Sequence, residues 1–171
     1  MFGDAIVDNE KIAVNNAFEP NDFVKVCDLP SGAEFFCNKI AVDCDLLICE
    51  GFIEPHFFAG FSGGRKSILP GICNAATVNE NHSYKAIADP HSVTGVLEGN
   101  PIHKDMVCAA RAVNVQFIMN VALDGEKKVV AAWAGDLEEA HAAGVQFIRE
   151  QSQCPSIEGD IVVTSNGGYP L

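Results

Sequence analysis

Short apolar runs alternate along this chain with helix-type patterns, and this alternation limits the fold more than any other feature of the sequence. The apolar run at residues 45–49 stands just before a glycine and predicts a buried strand. Residues 74–87 favour a helix with Asn74 as its N-cap, and Asn100-Pro101 is a typical helix start. The helix that starts there would carry its apolar side chains on one face, at Ile102, Met106, Ala109 and Val113.

The second half of the chain continues the same alternation. Residues 115–123 and 128–133 are β-rich and flank Asp124-Gly125, which predicts a hairpin. An acidic capping box predicts a helix over residues 136–151, and residues 160–165 predict another buried strand. Together these patterns predict the α/β class, with a mostly parallel sheet flanked by helices.

Composition excludes several classes of partner and location. The chain has 171 residues, of which 48% are hydrophobic, so it is long enough for one domain with a core. Its formal net charge of −12 argues against nucleic acid or an anionic membrane as the main partner. No apolar run is long enough to cross a membrane, and the first ten residues lack the layout of a signal peptide. Seven cysteines without a C-x-x-C pair, mostly in apolar runs, favour a reducing cytoplasm.

The segment from residue 51 to residue 85 concentrates the groups that carry chemistry. It holds five of the fifteen glycines, and it has no acidic residue between Glu54 and Glu80. Glycines let a backbone approach a ligand closely, and free N–H groups near a helix start favour anions. The segment therefore predicts a loop that cradles a phosphate or holds a cofactor. Its cationic and imidazole side chains are His56, Arg65, Lys66, His82 and Lys85.

Residues 60–67 nearly match the phosphate-binding loop of nucleoside triphosphatases, G-x-x-x-x-G-K-[ST]. The residue before the lysine is Arg65, where that pattern requires glycine. The match therefore fails at its strictest position, and a triphosphatase is a minor alternative.

Each candidate residue also has a purely structural interpretation. His56 could be a loop histidine, Lys66 a solvated charge and His82 a surface residue. Their grouping around an acid-poor glycine loop favours a functional site instead. Imidazole suits proton transfer or ligation of a transition metal, and a lysine without carboxylate neighbours suits covalent attachment.

The other histidines carry weaker signals. We expect His141 to pack on the apolar side of its helix, His103 to lie at the surface or in a cap, and His91 to lie in a loop. No C-x-x-C or H-E-x-x-H spacing supports a zinc site.

Taken together, these motifs closely resemble the nickel-dependent lactate racemase family, and the resemblance covers most of the chain. The motifs that carry it are Glu54-Pro55-His56, Ala59-Gly60-Phe61-Ser62-Gly63-Gly64-Arg65-Lys66, Pro70-Gly71, His82, Leu97-Glu98-Gly99-Asn100-Pro101 and Thr164-Ser165-Asn166-Gly167-Gly168-Tyr169-Pro170-Leu171.

The resemblance implies a nickel pincer nucleotide, a pyridinium mononucleotide that binds nickel through two sulfurs and a ring carbon. By residue-by-residue match, Lys66 would hold it as a covalent thioamide, His82 would be the fourth nickel ligand and His56 an acid/base. Phe57 or Phe58 could stack on the cofactor ring. The implied reaction is racemisation or epimerisation of a lactate-like 2-hydroxy acid by reversible hydride transfer.

The resemblance also shows what is missing from this chain. The family's second catalytic histidine and its carboxylate-binding arginine have no match in residues 1–50, which contain no histidine. We therefore expect an internal piece of a two-domain enzyme, inactive when isolated. Residues 1–152 would be a portion of the N-terminal cofactor-bearing domain, and residues 153–171 the connection and first strand towards a C-terminal domain. The alternatives are a protein that holds a nucleotide or nickel without turnover, and the triphosphatase.

Overall fold

The computed structural model describes residues 3–156 and 158–163 of the chain. Helices and strands alternate through these residues, with two further single 3₁₀ turns at Pro20–Asp22 and Gly64–Ser67. In chain order the elements are α1 Asp4–Asn9, β1 Phe23–Asp28, β2 Glu34–Asn38, α2 Lys39–Val42, β3 Ile48–Phe52, β4 Pro55–His56, β5 Gly60–Phe61, α3 Ala75–Asn81, α4 Tyr84–Ile87, α5 Pro101–Ala112, β6 Phe117–Leu123, β7 Val129–Gly135 and α6 Glu139–Ser152.

The central sheet has the strand order β3-β6-β7 and is flanked by helices, which confirms the α/β class. In detail the sheet is mixed, because β3 and β6 run parallel whereas β6 and β7 run antiparallel. The chain between β6 and β7 is a tight turn, in which Asp124 N donates to Lys128 O at 2.9 Å, and so short a connection permits only antiparallel pairing. The predicted hairpin is thereby confirmed.

Two small antiparallel hairpins complete the described sheet structure. The pair β1–β2 lies apart from the central sheet, and the pair β4–β5 places His56 opposite Gly60. The second hairpin therefore brings the first candidate histidine to the start of the glycine loop.

Helices α5 and α6 form much of the core. The side-chain oxygen of Asn100 accepts from the backbone N–H groups of Ile102 and His103, which confirms it as the α5 N-cap. The predicted apolar stripe of α5 is buried. Helix α6 begins at Glu139, three residues later than predicted, and a carboxylate oxygen of Asp136 accepts from the N–H groups of Glu138 and Glu139 ahead of it.

Three sequence predictions need correction. The helix expected over residues 74–87 is divided at His82, because the hydroxyl of Ser83 caps a new helix by accepting from Ala86 N. The strand expected at 45–49 is β3, which begins at Ile48 and alternates between exposed and buried residues because one face of the sheet is open to solvent there. Residues 160–163 are exposed and form no strand, and residues 164–165 lie outside the described residues.

The described helices include none long and apolar enough to cross a membrane. All seven cysteines are free, and Cys37, Cys49 and Cys73 are buried as predicted, whereas Cys44 and Cys154 are exposed. The buried thiols behave as small apolar side chains of the core.

Candidate active site

Backbone geometry at the glycine loop requires glycine at two positions in particular. Gly60 and Gly63 have φ angles of +77° and +86°. A Cβ on Gly60 would lie 2.3 Å from the carbonyl oxygen of Val96, and one on Gly63 would lie 2.9 Å from Ile53 Cγ1. The loop is thus held tightly against neighbouring chain segments, and a side chain at Gly60 would collide with the backbone.

The side chain of Arg65 lies beneath this loop and is only 1% exposed. Its Nη1 donates to the carbonyl oxygens of Ser62 and Gly63 at 3.2 and 3.1 Å. Its Nη2 donates to those of Ala59 and Phe61 at 3.1 and 2.7 Å. Burial lowers the pKa of the guanidinium, and the four carbonyl dipoles compensate for the lost hydration of the cation.

Two helices supply further partners for Arg65. Its Nε donates to His103 Nδ1 on α5 at 3.1 Å. On α6, His141 Nε2 lies 2.8 Å from Arg65 Nη1 and 2.9 Å from the Ser62 carbonyl oxygen, so it accepts from the first or donates to the second. Burial, followed by the charge of Arg65, lowers the pKa of His103 to about 4 and that of His141 to about 3. Both rings are therefore neutral near pH 7.

These contacts correct one of the histidine predictions. His103 is partly buried and bound to Arg65, so its expected place at the surface or in a cap is wrong. His141 is buried as expected, with the added contacts to Arg65 and Ser62. His91 lies in an exposed loop, where it binds Asp89.

Lys66 follows Arg65 in the 3₁₀ turn and is half-buried. Burial, followed by the neighbouring charge of Arg65, lowers the pKa of the Lys66 ammonium to about 8. Glu54 opposes that shift, so the lysine is not wholly free of carboxylate influence. A lowered pKa leaves a larger fraction of neutral, nucleophilic amine near neutral pH.

The candidate histidines meet at one aromatic ring. Phe58 lies edge-on to His56, with ring centroids 4.6 Å apart, and edge-on to His82, at 5.1 Å. Phe57 stacks on His56 at 4.8 Å and remains 73% exposed. Burial is the main cause that lowers the pKa of both histidines, and the positive charge of Lys66 adds to it, so Lys66 lies near His56 and His82.

The two histidines differ in which nitrogen is engaged. His82 Nδ1 lies 2.9 Å from the carbonyl oxygen of Val78, so it donates there and leaves the Nε2 lone pair free. His56 Nδ1 accepts from the N–H groups of Ala59 and Phe58 at 3.3 and 3.5 Å, which places the proton of the neutral ring on Nε2. Burial, then the charges of Lys66, His82 and Arg65, lowers the pKa of His56 to about 4.

Sequence reasoning missed two asparagines that support the loop. Asn100, beyond capping α5, donates from Nδ2 to the carbonyl oxygens of Phe58 and Val96 at 2.8 and 3.1 Å. Asn120 on β6 is fully buried beneath Gly63, and its Oδ1 has no hydrogen-bond partner in the described part of the chain. Of these two asparagines, only Asn100 could be singled out from the sequence, because it precedes Pro101 at a helix start.

The described residues contain no group of three or more histidine, cysteine or acidic side chains placed to hold a metal ion. Of the two candidate histidines, His82 is the one whose Nε2 carries no proton in the neutral ring. The fold and the candidate site together define an α/β domain whose glycine loop carries one half-buried lysine.

Comparison with known proteins gives that domain a family. The lactate racemase N-terminal domain matches residues 1–95. Lactate racemases from Lactiplantibacillus plantarum and Thermoanaerobacterium thermosaccharolyticum are 51% and 50% identical over 170 residues, 99% of this chain and 40% of each relative. The chain belongs to the lactate racemase family, and it spans about two-fifths of the length of these curated relatives.

Solved structures agree with this assignment. The lactate racemase apoprotein from Thermoanaerobacterium thermosaccharolyticum has a TM-score of 0.84 and 50% identity, over 85% of this chain and 35% of that one. A crystal structure from Thermotoga maritima has a TM-score of 0.70 at 21% identity, over 83% of this chain and 40% of that one, which is a likeness of fold alone.

Proposed function

We propose that this chain is the cofactor-bearing part of a racemase or epimerase of lactate-like 2-hydroxy acids. The observation that carries the proposal is the grouping of Lys66 with His56 and His82 around Phe58. An amine with a lowered pKa beside two imidazoles supports covalent attachment of a cofactor next to a metal ligand and an acid/base.

The residues present fit a nickel pincer nucleotide. Lys66 would attach it through Nζ, and His82 would ligate nickel through its free Nε2. Because the nucleotide itself brings most of the nickel ligands, a site with one protein ligand suits it. When bound, this group supplies the acceptor for the substrate hydride. Phe57 and Phe58, beside His56, are the flat side chains available to pack on its ring.

His56 would handle the hydroxyl proton of the substrate. In the neutral ring Nε2 carries the proton, because Nδ1 faces two backbone N–H groups. To accept a proton at Nε2, the ring must exchange this tautomer, and the contacts of 3.3 and 3.5 Å that favour it are long. Conversion of the Lys66 ammonium into a neutral thioamide would remove one of the charges that lower the basicity of His56.

The carboxylate of a 2-hydroxy acid needs a cationic partner from elsewhere. The chain has three arginines, of which two are held by several protein groups and the third is exposed with one hydrogen bond. Arg65 is bound to the loop, Arg111 pairs with Asp136 and Glu138, and Arg149 donates to Gly95 O. We therefore propose that flanking segments of the same enzyme supply the carboxylate clamp and a second base, and that the chain alone does not racemise any 2-hydroxy acid.

Free cysteines support a reducing cytoplasm as the location of the protein. The triphosphatase alternative loses further support from Arg65, whose side chain turns four loop carbonyls towards itself. Holding a nucleotide or nickel without turnover remains the second candidate, because Lys66 and His82 would suffice for it.

The test is intact-mass and nickel analysis of the protein produced in cells that contain the cofactor pathway. The wild-type chain is expected to carry an adduct on Lys66 together with nickel. Lys66→Ala should abolish the adduct, whereas Lys104→Ala, an exposed lysine on α5, should retain it. A full adduct on the Lys66→Ala protein would show that the assignment is wrong, and bound ATP with magnesium would favour the triphosphatase.

A further inference from the structure

Arg65 is a buried cation with no carboxylate among its described partners. All of its N–H groups face acceptors of the loop or the two imidazoles. A buried charge is tolerated only where polar groups replace its hydration, so the loop conformation and the placement of Arg65 depend on each other.

The backbone transmits this restraint to Lys66. Lys66 N donates to the Gly63 carbonyl oxygen at 3.2 Å, and the carbonyl oxygen of Arg65 accepts from Ile68 and Leu69 N at 3.1 and 3.2 Å. Both groups belong to the peptide that joins Arg65 to Lys66, so the short turn holds this peptide at its N–H and at its carbonyl oxygen. Because the side chain of Arg65 is held against the same loop, the backbone position from which the Lys66 side chain starts is restrained with it.

The anchors of Arg65 lie on separate helices. His103 belongs to α5 and His141 to α6, and both are neutral near pH 7. His103 Nδ1 accepts from the guanidinium, and His141 Nε2 accepts from it in the tautomer that carries the proton on Nδ1. Gly64 packs against the His141 ring, where an added Cβ would lie 3.4 Å from Cδ2. The turn that carries Lys66 is thus tied to the two largest helices of the described structure.

We propose that Arg65 is the positioning residue of this site: its guanidinium, anchored by His103 and His141, gathers the loop carbonyls and sets the orientation and partial burial of Lys66. The inference rests on the proposed function, because it treats Lys66 as the attachment residue. Arg65 itself contacts no ligand in this role. The planar fork of arginine is needed, since a lysine ammonium cannot reach acceptors spread over both edges of a guanidinium.

The experiment measures the reactivity of the Lys66 amine without any cofactor. The apoprotein is labelled with trace isotope-coded acetic anhydride across a pH series, and Lys66 is compared by mass spectrometry with exposed Lys104 in the same sample. The labelling rate of wild-type Lys66 should reach half its maximum near pH 8, because burial lowers the pKa of its ammonium to about 8. In Arg65→Lys, which keeps the charge but loses the fork, the Lys66 midpoint should rise by about one pH unit as the turn loosens and the amine becomes hydrated.

A matched pair at His103 separates anchoring from general stability. His103→Gln retains a hydrogen-bond acceptor and should keep the wild-type labelling profile. His103→Leu removes the acceptor and should shift the Lys66 midpoint in the same direction as Arg65→Lys. If His103 only stabilised the fold, its substitution would lower the melting temperature without moving the midpoint of Lys66 labelling relative to that of Lys104.

The proposal is overturned if the folded Arg65→Lys protein has the same Lys66 labelling midpoint as the wild type. It is also overturned if the His103→Gln and His103→Leu proteins have equal Lys66 midpoints. Should Arg65→Lys not fold, the His103 pair decides by the same criterion. The labelling needs no nucleotide or nickel, so a missing cofactor adduct would count against the proposed function and leave this result standing.

Discussion

The Nδ1 atom of His82 lies 2.9 Å from the carbonyl oxygen of Val78, one turn earlier in α3. This hydrogen bond holds the ring in one orientation and leaves Nε2 as the ring atom that could bind a metal under the proposed function. His82→Ala should therefore lower the nickel content by more than about tenfold while the mass adduct on Lys66 remains. Elemental analysis and intact mass on the same preparation measure both quantities.

The control for this change is His91→Ala. His91 is an exposed loop residue bound to Asp89, and its loss should leave nickel unchanged. Full nickel retention in His82→Ala would contradict the ligand assignment.

Neutralising Lys66 should make His56 more basic. Burial is the largest cause of the low pKa of His56, about 4, and the charge of Lys66 is the next. In Lys66→Gln the imidazolium loses a neighbouring cation, so its pKa should rise by about half a unit or more, yet stay below 6.5. NMR titration of the five imidazoles follows this shift, and Lys104→Gln, which does not influence His56, should leave it in place.

The neutral histidines around Arg65 should make the fold sensitive to mild acid. Unfolded, these rings take up protons near pH 6.5, whereas folded His103 and His141 do so near 4 and 3. Between these values the unfolded state binds more protons, so the free energy of unfolding should fall as the pH decreases from about 7 to about 4. Each such ring contributes at most about 1.4 kcal/mol per pH unit.

Urea unfolding across that range measures the slope. The His103→Gln protein lacks this titrating imidazole, so its free energy of unfolding should fall less steeply with decreasing pH than that of the wild type. Parallel slopes for the two proteins would contradict the neutral, Arg65-bound state of His103.

Gly60 should tolerate no side chain. Its φ of +77° and the Val96 carbonyl oxygen, 2.3 Å from an added Cβ, both oppose alanine. Gly60→Ala should lower the free energy of unfolding by on the order of 2–4 kcal/mol. Gly125→Ala is the matched control in the β6–β7 turn, with nothing within 4 Å of an added Cβ, and it should change stability by less than about 0.5 kcal/mol. Equal effects in denaturant unfolding would contradict the described loop geometry.

The features that the sequence predicted correctly are local ones. Asn74 and Asn100 cap their helices because a cap depends only on residues two or three positions away. The β6–β7 hairpin likewise follows from a turn signal between two β-rich runs. The sequence predicts the start of strand β3 three residues too early, because an apolar run does not show which residues will pair with a neighbouring strand.

The candidate site divides in the same way. The amino-acid sequence by itself determined that Lys66 stands in an acid-poor glycine loop, with His56 and His82 nearby along the chain. Only the tertiary structure decided that Arg65, the residue that spoils the phosphate-loop pattern, would be bound by His103 and His141, which are 38 and 76 residues away. Hydrogen bonds of this kind are set by how helices pack on a sheet, and no local pattern of residues records which buried polar groups will meet.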